Sequence, residues 1–159
     1  MSTQQKTKGF TIIEVVLVLA IAGLIFLMVF IALPALQRSQ RDSARKSELS
    51  TVLAAITTYQ SNNRGEAPKA DPAFGKYLDS KTPDEITLGS GTKVSKADVT
   101  FPAGTTTVDL ASYASTDNIV FVMGAKCEIG SKVVAGSARQ ASAVVQLENG
   151  GGAYYCQTN

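Results

Sequence analysis

The ionisable residue that stands out in this chain is Glu14, in the stretch KGFTIIEVVLVLA (8–20). Behind it, residues 15–33 form 19 consecutive positions without a charge. A carboxylate in hydrocarbon costs about 3 kcal/mol or more unless something pairs with it, so Glu14 calls for a partner. The thiols able to form a covalent bond are Cys127 and Cys156. The chain has no His, which removes the commonest general base and the commonest metal ligand together. An enzyme is therefore not expected, nor is a metal site or a cofactor.

Two cysteines beside an N-terminal apolar segment point to export into an oxidising space and to one disulfide. The alternative is a pair of buried, unbonded thiols. Each cysteine lies near the end of a strand-like run, which favours the bond. A bridge closing about 30 residues stabilises by roughly 3.5 kcal/mol on the chain-entropy account.

The apolar run must position Glu14. As a helix its 19 residues reach about 28 Å, one bilayer core. A secretory signal would have a shorter apolar core followed by a small-residue cleavage site. Here the run passes through Pro34 into a polar helical pattern, ALQRSQRDSARKSELSTVLAAITTYQSNN (35–63). The small residue suited to a peptidase, Gly9, precedes the run. A cut there would remove only the basic leader 1–9 and leave the helix on the product. The charged flanks, Lys6 and Lys8 before and Arg38, Arg41, Arg45 and Lys46 after, leave orientation undecided by the positive-inside rule. The cysteines place the C-terminal part outside.

Leu49, Val52, Leu53, Ile56 and Tyr59 recur at helical spacing. One helix over residues 10–61 would be roughly 75 Å long, apolar all round in its first half (10–34) and amphipathic in its second (35–61). Gly23 and Pro34 are its weak points, since Pro in a helix interior costs ~3 kcal/mol. Arg38, Arg41 and Arg45 share a face that could meet headgroups or DNA. With Asp42 and Glu48 interleaved, a solvated face is the expectation.

From residue 62 breakers dominate, in NNRGEAPKADPAF (62–74). FGKYLDS (74–80) is a candidate helical turn, and GSGTKVS (89–95) reads as a polar turn because it lacks phosphate-loop spacing. NIVFVMG (118–124), ASAVVQLEN (141–149) and AYYCQ (153–157) read as strands, the first buried on both faces. Gly150, Gly151 and Gly152 predict a hairpin between the last two. DVTF (98–101) and TTVDL (106–110) are weaker candidates. A Cys127–Cys156 bond would tie the last strand back to the first of the sheet. Such a sheet needs a cover, and the Leu49–Tyr59 stripe supplies one. The expected fold is α+β: a long N-terminal helix packed on a small antiparallel sheet head (62–159).

Formal net charge is +2, and Lys6 and Lys8 supply the surplus. The remainder is neutral and offers no bulk field for nucleic acid. No specific nucleic-acid partner is expected.

KGFTIIEVVLVLAIAGLI resembles the N-terminus of type IV prepilins: basic leader, Gly, Phe, then a carboxylate fifth in the mature chain. The likeness covers about the first 55 residues well and the rest in outline. It implies cleavage by a membrane prepilin peptidase after Gly9 and N-methylation of Phe10. It implies a single-pass membrane precursor whose copies, through assembly machinery in the membrane, pack their helices into a filament at the cell surface. Within such a polymer Glu14 is expected to pair with a neighbour's amine, and helix to be lost between Gly23 and Pro34. Pro34 lies about one turn later than the usual family position. Motility, adhesion and DNA uptake are the roles such fibres serve. A rival is a pseudopilin of a type II secretion or competence machine. Major secretion pseudopilins often carry Tyr-Pro and a calcium loop without a C-terminal disulfide, where this chain has GEAPKAD (65–71) and two cysteines. A second rival is a membrane-anchored receptor or adhesin module that never polymerises.

Overall fold

The computed structural model describes residues 9–80, 85–101 and 107–159. Leader residues 1–8, with Lys6 and Lys8, lie outside these, as does Thr106 of the TTVDL candidate. The first helix, α1, spans Ile12–Asn62 without interruption and carries Pro34 in its interior. The chain divides into two compact units within it, Met1–Gln37 and Arg38–Asn159.

In the first unit the apolar side chains of the described residues are largely exposed. Phe10, Leu24, Met28 and Phe30 are all at least two-thirds exposed. These residues form helix because none but Gly23 and Pro34 opposes it, and both are accommodated.

In the second unit α1 is amphipathic as its sequence predicts. Leu49, Val52 and Ile56 are fully buried, and Tyr59 packs at the margin of the same core. A short helix, α2 (Pro72–Gly75), and a 3-10 turn (Lys76–Leu78) follow where FGKYLDS predicts one. Asp71 caps α2 by accepting the Phe74 N–H at 3.0 Å, and Phe74 enters the core edge-on to Tyr59.

Among the described residues eight strands form two sheets: β1 (Ile86–Thr87), β2 (Lys93–Lys96), β3 (Thr107–Asp109), β4 (Asn118–Met123), β5 (Ala125–Cys127), β6 (Lys132–Ala135), β7 (Ala141–Gln146) and β8 (Tyr154–Thr158). The larger sheet runs β1-β2-β4-β7-β8 and the smaller β3-β6-β5. β4 and β7 are buried on both faces. On one face Ile119, Phe121, Ala143 and Val145 meet the α1 stripe. On the other Val120, Val122 and Val144 meet Leu110, Ala125 and Val133 of the smaller-sheet layer. The unit is thus helix, sheet, sheet, the α+β class expected.

Three features differ from the sequence expectation. The larger sheet is not wholly antiparallel, because β2 runs parallel to β4. Part of the expected polar turn 89–95 is therefore strand, since Lys93–Lys96 alternates weakly and buries only Val94 fully. DVTF is not a strand, whereas Thr107–Asp109 is. Cys127 does not sit on the sheet that carries Cys156. It lies on β5, so the Cys127–Cys156 bond joins the edge of the larger sheet to the smaller one, with Cα atoms 5.8 Å apart.

Candidate functional site

Thr11-Ile12-Ile13-Glu14 opens α1. The Thr11 backbone N–H donates to Glu14 Oε2 at 2.9 Å, and the Thr11 hydroxyl donates to the same oxygen at 2.7 Å. The Glu14 N–H reaches back toward Thr11 Oγ1 at 3.4 Å. This is the reciprocal Thr-x-x-Glu cap of a helix N-terminus. Sequence reasoning passed over it, although the four residues spell the signal. The cap explains why a carboxylate begins the apolar run: it satisfies an orphan donor at the helix start. It fills one carboxylate oxygen, and Oε1 takes no hydrogen bond from a described residue.

Glu14 also edges a shallow apolar concavity lined by Phe10, Val15, Val18 and Leu19. Phe10 is 89% exposed. Gly9 stands in open space, where an added Cβ would meet nothing within 4 Å. The same holds at Gly23. The structure thus gathers Gly9, Phe10 and Glu14 at the helix start, while Gly23 and Pro34 stand in its interior.

In the second unit the expected solvated arginine face is corrected in part: Arg38 and Arg41 are exposed, whereas Arg45 is largely buried against Asp42. Asp42 is buried. Its two oxygens accept consecutive backbone N–H groups of the β7–β8 turn, Glu148 at 2.8 Å and Asn149 at 2.9 Å. Arg45 donates to Asp42 at 3.2 Å, to Glu148 at 2.7 Å and to the Thr116 carbonyl at 2.8 Å. Arg41 closes a fork on Glu148 through Nε at 2.9 Å and Nη2 at 2.5 Å. Helical spacing places Arg41, Asp42 and Arg45 together, but only the fold brings Glu148 to them, 107 residues after Arg41. Nothing local in the sequence signals that pairing.

Burial pushes the Asp42 carboxyl up, but the two turn N–H groups and Arg45 outweigh it, so the net shift is downward. Hydrogen bonds from Arg41 and then Arg45 hold Glu148 down at about 2. The turn they grip contains Gly150, Gly151 and Gly152, all with positive φ between 71° and 84°. Glycine adopts this conformation without the Cβ clash other residues meet. At Gly152 an added Cβ would also displace the end of the Gln146 side chain, Nε2 lying 2.8 Å away. Farther along, Lys46 sits 5.1 Å above the Tyr155 ring, and Ser50 donates to Gln157 at 3.1 Å. The helix therefore holds both the turn and β8, the strand that carries Cys156.

Among the described residues no group of three or more His, Cys, Asp or Glu is arranged to hold a metal ion.

The helix start carries a motif that is matched outside this chain. Residues 4–30 match the family model described as the prokaryotic N-terminal methylation motif. The chain carries the class III signal of type IV pilins. Neither a curated protein nor a solved structure matches the chain. The prepilin signal spans Gly9, Phe10, Glu14 and Gly23 and ends within the exposed apolar part of α1. It supports a type IV pilin-like or pseudopilin-like prepilin and points to a structural subunit.

Proposed function

We propose that this chain is the structural subunit of a type IV pilus. A prepilin peptidase cuts between Gly9 and Phe10, the new Phe10 amine is methylated, and the subunit waits as a single-pass membrane protein. Assembly machinery in the membrane then draws it into a homopolymer at the cell surface, serving motility, adhesion or DNA uptake. The observation that carries this reading is the pairing of a methylation motif at residues 4–30 with an apolar helical segment that is 0% buried. Exposed apolar area of that extent requires a cover. Lipid covers it in the precursor, and neighbouring copies of the same helix cover it in the filament.

A pseudopilin of a secretion or competence machine would share the N-terminal signal. The Cys127–Cys156 bond supports the pilus reading, because major secretion pseudopilins resembling this chain often lack one. The test is to image surface filaments and fragment their protein by mass spectrometry. Filaments made of this chain, beginning at methylated Phe10, are the expected result. A cell-surface protein that begins at Phe10 yet forms no filament would select the pseudopilin reading. One that still begins at Met1 would select the unpolymerised anchor.

A further inference from the structure

A second arginine pair lies at the other end of the amphipathic part of α1. The helix closes with the Gly65 N–H donating to the Gln60 carbonyl at 2.7 Å, and with the Asn63 N–H on the Tyr59 carbonyl at 2.9 Å. The residue between, Arg64, takes the left-handed conformation at φ 56°. Glycine usually holds that position in a helix-ending turn of this kind. Here the glycine comes one residue later, at Gly65, and the left-handed position carries a guanidinium. Opposite stands Arg139, from the turn before β7. Its side chain lies against Gly65, where an added Cβ would meet Arg139 Nε and Nη2 at 3.3 Å. Gln60 holds the Arg139 backbone by donating to its carbonyl at 3.2 Å.

Arg64 and Arg139 line one open cleft of about 430 Å³ with Thr57, Gln60, Ser61 and Gly65. Among the described residues no carboxylate lines it. Among the described residues neither guanidinium has an ion-pair partner. The contrast within the same unit is direct. Arg41 and Arg45 are matched by two carboxylates, Asp42 and Glu148. Arg64 and Arg139 are matched by none. The lining hydroxyls are already committed, Thr57 to the Leu53 carbonyl and Ser61 to the Thr57 carbonyl. Recognition in the cleft therefore falls to the two guanidinium forks. Negative charge at the helix end does not cancel them, since the carbonyls of Tyr59 and Gln60 are capped and two full charges exceed a half-charge.

We propose that this cleft binds a phosphate-class dianion. Two guanidiniums lacking a counter-charge match the nearly double negative charge of a phosphate monoester. A guanidinium's paired N–H donors are of the kind that meets phosphate oxygens bidentately, and the open cleft leaves room for whatever the phosphate is attached to. Nothing in this depends on filament assembly.

The test uses the full chain in maltoside detergent at low salt, titrated by calorimetry with inorganic phosphate, glycerol phosphate and acetate. Phosphate should bind, and acetate should bind about tenfold more weakly or not at all. Glycerol phosphate separates the sources: binding equal to phosphate indicates a pendant phosphoryl group, and binding of phosphate alone indicates the free ion. Arg64→Gln or Arg139→Gln should each weaken phosphate by about tenfold, while Arg38→Gln, an exposed arginine outside the cleft, should leave it unchanged. Absence of phosphate binding, acetate binding as tight as phosphate, or an equal loss in Arg38→Gln would overturn the proposal.

Discussion

At the scale of single residues, Asp42 is the side chain on which most depends. It is buried and its oxygens take two consecutive turn N–H groups. Asn in its place would aim an amide N–H at a backbone N–H, and Ala would leave both donors and Arg45 unanswered. Asp42→Asn is expected to cost about 2–3 kcal/mol and Asp42→Ala somewhat more, read as a fall in urea midpoint with unchanged slope. The same cluster sets an acid limit. Glu148 is held at about 2 when folded, against 4.5 ordinarily, and Asp42 and Asp109 are shifted the same way. A carboxyl depressed on folding stabilises above its unfolded pKa and loses that contribution as pH falls toward the folded value. Thermal midpoints should therefore drop between about pH 4.5 and pH 2, and Glu148→Gln should flatten that drop. Ser142 is the opposite case. Its hydroxyl is fully buried and has no hydrogen-bond partner among the described residues, so Ser142→Ala should be neutral or stabilise by up to about 1 kcal/mol.

At the scale of elements, the expectations that succeeded rest on strong periods. The Leu49–Tyr59 stripe is buried where helical spacing puts it, and the continuous apolar run of β4 is buried on both faces; β7 is a strand as expected, but its burial on both faces was not foreseen. The glycine run gave the β7–β8 turn. What sequence did not yield was short or non-local. β1, β3 and β5 have two or three residues each, too few for a period to register. The parallel β2–β4 pair and the Arg41–Glu148 fork exist only because the chain returns. The arginine face looked solvated because its carboxylate partner is remote in sequence. Two expectations at this scale are open to experiment. Removing the disulfide by a double Cys→Ala change should cost about 3 kcal/mol, with hydrogen exchange rising first along β8, the edge strand. Gly23→Ala meets no atom within 4 Å, so it should strengthen the helix by ~1 kcal/mol without a packing penalty. If helix must be lost between Gly23 and Pro34 on polymerisation, that variant should assemble more slowly, measured as filament length per unit time. Unbroken helical density through residues 23–34 in a filament map would refute the melting.

At the scale of the whole molecule, the question is what Glu14 does once water is gone. In the single chain its carboxylate is already held by Thr11, so it needs no rescue in the precursor. That hold is partial, because both Thr11 donors go to Oε2. Glu14 and Phe10 line the same shallow concavity, and the Phe10 amine becomes positive on cleavage after Gly9. Phe10 and Glu14 are four positions apart in sequence, so a chain whose helix extends back to Phe10 can answer its own charge. In a filament core an incoming amine can answer its neighbour's Glu14 instead. The intermolecular pair is the one that specifies register, since apolar surfaces alone slide along each other, whereas a buried charge left unpaired costs several kcal/mol. Gly9→Val tests the first step cleanly. The structure has open space at Gly9, so accumulation of uncut precursor there would report peptidase recognition and not misfolding. Glu14→Ala should leave insertion and cleavage intact and abolish filaments. Thr11→Val removes the hydroxyl of the cap but keeps the carboxylate, so filaments should persist, with a helix start weaker by about 1 kcal/mol. Glu14→Gln is the decisive variant. It keeps shape and can still accept from Thr11, but it cannot pair with an amine as an ion. Filament counts from electron micrographs should fall nearly as far as for Glu14→Ala. Normal counts would mean that Glu14 serves as a helix cap alone.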